Sequence, residues 1–162
     1  MELKIVGAVF LAVSGAIWGI NRSICYRQAV GLCGAILEMI RKTEVLIRYS
    51  GCDVYEIVRE LSTYAEMNGL GLSAAENGGD INSAACEFVE KSDIPTKEKK
   101  ILLGYWRELG TTDCEGQVKI LGGLHETASQ LLEVRKAEYA KYGKLYRSVG
   151  VLLGLMAGIA VI

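Results

Sequence analysis

The chain has 162 residues, with 18 lysines and arginines against 19 aspartates and glutamates, so its formal net charge is −1. That length suits one domain with a sizeable core, and the charge balance lacks the basic excess that marks a nucleic-acid binder. Hydrophobic residues make up 51%, proline occurs once, at Pro95, and few β-branched alternations occur, so strands are disfavoured and an all-α class is expected.

Residues 3–20 read LKIVGAVFLAVSGAIWGI, with Lys4 the one charge. As a helix these 18 residues reach about 27 Å, close to the thickness of a bilayer core. Trp18 suits an interface, and Arg22 and Arg27 follow. A cleaved signal peptide is disfavoured, because Glu2 offsets Lys4 and basic residues stand where a neutral cleavage zone belongs. Residues 1–21 are therefore expected to form an N-terminal transmembrane anchor.

Ile24 to about Tyr49 follows, with Ile24, Val30, Cys33, Ile36, Leu37, Ile40 and Ile47 at helical spacing. Ser50-Gly51-Cys52-Asp53 breaks it, and Asp53 is placed to cap a helix carrying Val54, Ile57, Val58 and Leu61. Asn68-Gly69 ends that helix. Residues 69–79 are glycine-rich and are expected to form a mobile loop with one turn near Ser73–Glu76. Asp80 opens a helix through Ala84, Ala85, Phe88 and Val89. Pro95 closes it, and Thr96 is expected to cap the next, which carries Ile101, Leu102, Tyr105, Trp106 and Leu109.

Leu109 to Gln117 reads LGTTDCEGQ, a dense cluster of small and polar groups between two helical runs. Gly110 suits a helix stop in the left-handed conformation. Thr112-Asp113-Cys114-Glu115 reads as a capping box, Thr112 accepting from the Glu115 N–H and Glu115 reaching back. Asp113 adds negative charge at the positive end of the next helix. The stretch is thus a tight interhelical corner. Asp113 and Gln117, at i, i+4 spacing, share a face that could meet a partner's backbone or a basic side chain.

The longest run extends from Asp113 to about Tyr142, interrupted only by Gly122-Gly123. Its apolar spacing mixes three and four residues, as in a bundle helix. Residues 148–162 read SVGVLLGLMAGIAVI, expected to form a C-terminal transmembrane helix with Tyr142, Tyr146 and Arg147 at the interface. A buried core helix is the competing reading. Gly150, Gly154 and Gly158 form a tandem G-x-x-x-G, which weakens a helix in water and permits close helix packing in lipid. By the positive-inside rule, residues 22–147 lie in the cytosol and both termini outside. The expected architecture is all-α: a cytosolic antiparallel helical bundle over 22–147, flanked by the two transmembrane helices.

The five cysteines are Cys25, Cys33, Cys52, Cys86 and Cys114. They are odd in number, lack C-x-x-C spacing, and accompany a single histidine, His125, so neither a metal site nor a cofactor is expected. Scattered free thiols fit a reducing compartment. A thiol enzyme using Cys114 would need a base, and His125 lies about 16 Å along the same helix. No catalytic residue is assigned. A phosphate cradle is likewise disfavoured, because no strand precedes Gly69–Gly79.

Two motifs carry a family resemblance. Leu109, Gly110, Asp113 and Gln117 match a Leu-Gly-x-x-Asp-x-x-x-Gln pattern, and Tyr146, Arg147 and Gly150 match Tyr-Arg-x-x-Gly before the terminal apolar helix. With "LEMIRKTEVLIRY" in the first long helix, the whole chain resembles the stage III sporulation protein AB family of endospore-forming bacteria. The family's proline–leucine pair after that helix is replaced here by Gly51-Cys52-Asp53-Val54. The family is related to platform proteins of type II secretion. The resemblance implies a non-enzymatic adaptor in a channel complex between mother cell and forespore, in the outer forespore membrane. It implies the ATPase stage III sporulation protein AA and membrane channel subunits as partners, with homo-oligomerisation left open. Two other readings remain: a thiol-dependent protein using Cys114, and a membrane-anchored sensor binding a small ligand at Gly69–Gly79.

Overall fold

A computed structural model describes residues 2–51, 53–77 and 79–161. Inside the helices it leaves out the side chains of 2–6, 8, 9, 11, 12, 50, 68, 77, 144, 147, 154, 155, 157, 158, 160 and 161. The described residues form helices joined by short turns, with no strand among them. The helices are α1 (Glu2–Ser50), α2 (Val54–Ser62), α3 (Leu72–Asn77), α4 (Ile81–Lys91), α5 (Thr96–Glu108), α6 (Cys114–Glu138) and α7 (Lys144–Val161). A 3-10 turn, Ala65–Leu70, precedes α3, and a π turn, Tyr139–Gly143, joins α6 to α7. The chain divides into two compact units, Leu32–Leu132 and the paired stretches Met1–Gly31 with Glu133–Ile162.

The larger unit has a closed apolar core. Ile36, Met39, Ile40, Ile57, Leu61, Leu102, Tyr105 and Trp106 are all buried in it. Apolar residues recurring every three or four positions turn one face of each helix inward, and burying such a side chain contributes about 1.5–3 kcal/mol. Polar groups inside are matched. The Tyr105 hydroxyl lies 2.8 Å from Thr43 Oγ1, and Thr43 Oγ1 donates to the Met39 carbonyl at 2.9 Å. Burial pushes the Tyr105 phenol above its ordinary range. The Cys33 thiol donates to the buried Glu98 Oε1 at 3.3 Å.

The break after α1 falls where the sequence places it. Gly51 takes φ +56°, and Asp53 caps α2 by accepting from the Val54 N–H at 2.8 Å. Two local expectations are corrected. The helix after Pro95 begins at Thr96, and Pro95 itself holds the N-cap position without a side-chain bond; its ring fixes φ near a value that leads into a helix. The stretch expected as a loop is helical as far as Asn77. Leu70, Leu72 and Ala75 are buried there, and Trp106 Nε1 donates to the Leu70 carbonyl at 2.8 Å. Gly71, at φ +100°, turns the chain against Trp106, where a Cβ would come within 3.0 Å of Nε1. Gly71 therefore serves a tight turn into the core.

The smaller unit rests on close helix pairing between α1 and α7. A Cβ on Gly150 would meet the Gly15 carbonyl oxygen at 2.6 Å and Gly19 Cα at 2.8 Å. A Cβ on Gly19 would meet the Tyr146 carbonyl oxygen at 2.5 Å. Backbone can approach this closely only where glycine stands at the point of contact. Beside this contact Trp18 meets Tyr146 edge-on at 6.1 Å, and Tyr26 stacks on Tyr142 and Tyr146, each at 5.9 Å.

The flanking transmembrane helices are corrected: among the described residues, no helix is long and apolar enough to cross a membrane. The stretch 148–162 reaches only about 22 Å, short of the roughly 30 Å hydrocarbon layer. Residues 2–21 are the start of the continuous α1, which carries Ser14, Asn21 and Arg22 among or close behind its apolar residues. Lys4, Cys52, Arg147, Gly154 and Gly158, used in the sequence argument, lie outside the described residues or side chains.

Candidate functional site

The corner between α5 and α6 gathers Leu109, Gly110, Thr112, Asp113, Glu115 and Gln117. Helix α5 stops as the Leu109 N–H donates to the Tyr105 carbonyl at 3.0 Å. Gly110 then takes φ +76°, and a Cβ there would sit 2.5 Å from Val54 Cγ2. Conformation and space both require glycine. The Thr111 hydroxyl donates to the Glu108 carbonyl at 2.9 Å, closing the end of α5.

The start of α6 differs from the expected capping box by one residue. Asp113 is the cap: its Oδ1 accepts from the Gly116 N–H at 3.1 Å, and its carbonyl accepts from the Gln117 N–H at 2.8 Å. The Thr112 hydroxyl instead donates to the Asp113 carbonyl at 3.4 Å, and Glu115 is exposed in the first turn. The physical reason is Gly116. A Cβ there would come within 2.8 Å of Asp113 Oδ1 and 2.9 Å of Thr112 Oγ1. Without one, the aspartate folds back onto the third N–H of the helix and fixes the start at Cys114. A glycine at that position, unfavourable in a helix, was the available sequence signal.

Two side-chain amides, Gln117 buried and Asn82 half-buried, hold the corner from either side. Gln117 Oε1 accepts from the Gly110 N–H at 3.0 Å, and Asn82 Nδ2 donates to the Leu109 carbonyl at 2.9 Å. These bonds fix which end of each amide is oxygen. The other ends, Gln117 Nε2 and Asn82 Oδ1, are buried without a partner among the described residues. Asp113 and Gln117 therefore do different work: the first is exposed at the cap, the second is only 3% exposed and braces the turn. Asn82 was not singled out in the sequence, because nothing local marks a residue of α4 as the partner of a carbonyl 27 positions on.

Beside the corner lies a cleft of about 330 Å³. Ile47, Ile57, Leu109 and Gln117 form its buried floor, and Asp53, Gly110, Thr112 and Cys114 its exposed rim. Val54 separates it from a smaller depression of about 230 Å³ over Asn82 and Asp80. Cys114 is a free thiol on the rim. His125 is absent from the cleft lining, and its place farther along α6 puts it about 16 Å from Cys114. Among the described residues no three of histidine, cysteine, aspartate and glutamate gather as a metal site would require. The tandem G-x-x-x-G divides: Gly150 is pressed between Gly15 and Gly19, while Gly154 and Gly158 lie outside the described side chains.

The corner can thus present a mixed apolar and hydrogen-bonding surface held on rigid helix ends. No curated protein and no solved structure matches the chain. The family model for stage III sporulation protein AB matches residues 4–162. With nearly the whole length matched, the chain belongs to the stage III sporulation protein AB family, and its role lies in sporulation.

Proposed function

We propose that the protein is a non-enzymatic adaptor of the sporulation machinery, a platform-type subunit that couples the ATPase stage III sporulation protein AA to membrane subunits of a channel at the outer forespore membrane. Family membership supports the sporulation role. The observation that favours an adaptor is the α5–α6 corner: rigid, clamped from both sides, and open on a cleft with an apolar floor. Such a surface suits recognition of another chain, because preorganised donors and apolar area lower the cost of binding. Co-purification of the full chain with the ATPase and channel subunits, after mild extraction from sporulating cells, tests the reading. Recovery of both is expected, and recovery of neither overturns it. Cys114→Ser is expected to leave sporulation intact; its loss would favour the thiol reading instead.

A further inference from the structure

Glu38, Arg41, Lys42 and Val45 stand at i, i+3, i+4 and i+7 on α1 and share one face. The two cations draw on a single acid. Arg41 Nε and Nη2 donate to the two Glu38 carboxylate oxygens at 2.9 and 2.8 Å, and Lys42 Nζ lies 3.7 Å from Glu38 Oε1. Arg48, farther along the helix, pairs one-to-one with Glu44 at 2.8 Å. Two cations against one carboxylate leave this face with an excess of one positive charge.

That excess borders a groove. Arg41, Lys42, Val45, Leu46 and Tyr64 line about 230 Å³, with no aspartate or glutamate among the described lining residues. Lys42 Nζ sits 3.8 Å from the centre of the Tyr64 ring, which holds the ammonium by its attraction to the ring face. Both walls are fixed from below. Met39, Ile40 and Thr43 of α1 are buried. The Tyr64 carbonyl accepts from the Met67 N–H at 2.9 Å, and its N–H donates to the Leu61 carbonyl at 3.1 Å. A groove formed in advance lowers the cost of binding.

The charge of the walls selects an anion, and Glu38 shows which kind. Its planar carboxylate matches the guanidinium fork with two parallel bonds. The Arg41 side chain is 59% exposed, and an ion pair so exposed contributes little net energy, so an incoming carboxylate displaces or shares it at small cost. A carboxylate carries the single charge that the excess calls for, and in a polypeptide it comes with neighbours able to cover Val45, Leu46 and the Tyr64 ring. A phosphate group carries about 1.5 to 2 negative charges and offers nothing to those apolar walls.

We propose that this groove docks an acidic segment of a partner polypeptide. A glutamate or aspartate carboxylate engages Arg41 and Lys42, and an adjacent apolar side chain rests on Val45, Leu46 and Tyr64. The proposal rests on the adaptor reading in taking another chain as the occupant, and its groove shares no lining residue with the cleft beside the α5–α6 corner.

The test places a photocrosslinker in the groove of the full chain, as Val45→p-benzoylphenylalanine, in sporulating cells. Val45 is 45% exposed. Irradiation is expected to join the chain to a partner peptide that carries an aspartate or glutamate within two residues of an apolar one, mapped by mass spectrometry. Arg41→Glu is expected to lower the yield at least about tenfold, as loss of a charge-assisted hydrogen bond should, and changing the mapped acid to arginine in that background is expected to restore it. Glu38→Gln removes the competing carboxylate and is expected to raise the yield several-fold, an effect that decides the question even if Arg41→Glu does not accumulate. The proposal is overturned by an absence of polypeptide crosslinks, by crosslinks to lipid or to segments without an acid, by a yield that a folded Arg41→Glu variant leaves unchanged, or by one that Glu38→Gln fails to raise. If no acidic segment is captured while the ATPase and channel subunits still co-purify, the groove assignment falls and the adaptor stands. If the acidic segment belongs to another protein and neither subunit co-purifies, the groove stands and the coupling proposed above falls.

Discussion

The chain's two tryptophans stand one in each compact unit, and their surroundings differ. Trp106 is fully buried and donates its N–H to the Leu70 carbonyl. Trp18 is 55% exposed and touches Tyr146 edge-on. The larger unit buries one contiguous apolar core among several helices. The smaller one relies on α1 against α7 with glycine backbones in contact, and leaves Phe10, Ile17, Leu152 and Met156 exposed. Apolar density along the sequence is thus a poor guide to burial, which depends on how many elements converge on a residue. The same density prompted the expectation of membrane spans that the described helices do not bear out.

Each region can be broken separately, and each tryptophan reports on its own surroundings. Trp106→Ala has the largest expected effect, a loss of about 3–5 kcal/mol in the larger unit, read by chemical denaturation with Trp18 fluorescence recorded alongside. Gly150→Val places a side chain against the Gly15 and Gly19 backbones, neither of which can rotate aside. Overpacking of this kind costs about 1–3 kcal/mol, and the Trp18 emission should shift while Trp106 stays native. A native Trp18 signal would contradict the close pairing.

Smaller effects sharpen the contrast inside the larger unit. Asp113→Ala should lower stability by about 1 kcal/mol, as the loss of one N-cap does, measured as a shift in denaturation midpoint. Thr112→Ala, by contrast, should be nearly neutral, since Thr112 is not the cap. Tyr105→Phe should cost about 1 kcal/mol near neutral pH through the lost hydrogen bond. The buried phenol is raised above its unfolded value of 10.0, so the folded state holds its proton longer and stability falls as pH rises above about 10. The phenylalanine variant should lack that part of the alkaline loss, seen by comparing midpoints at pH 9 and pH 11, about one unit either side.

The sequence made the stops and starts legible where one residue type has a single physical use. Asp53 caps α2, Gly110 ends α5, and the T-T-D-C-E run announces a helix start, though the glycine at 116 moved the cap from Thr112 to Asp113. Residues 69–79 were misleading because glycine punctuates Leu70 and Leu72, hiding two buried residues in a loop-like composition. The cleft could not be read at all. Its floor joins Ile47 and Ile57 to Leu109 and Gln117, and Asn82 reaches the same turn from α4. No local period links those positions, because only tertiary packing brings them together.

The central claim is that the corner between α5 and α6 grips another chain. Thr112→Trp tests it most directly, because Thr112 is exposed on the cleft rim and makes no contribution to the cap. In sporulating cells the variant should be folded, with wild-type helicity and denaturation midpoint measured by circular dichroism after purification, and should lose co-purification of the ATPase. A folded variant that recovers the ATPase as fully as the wild-type chain would contradict the account.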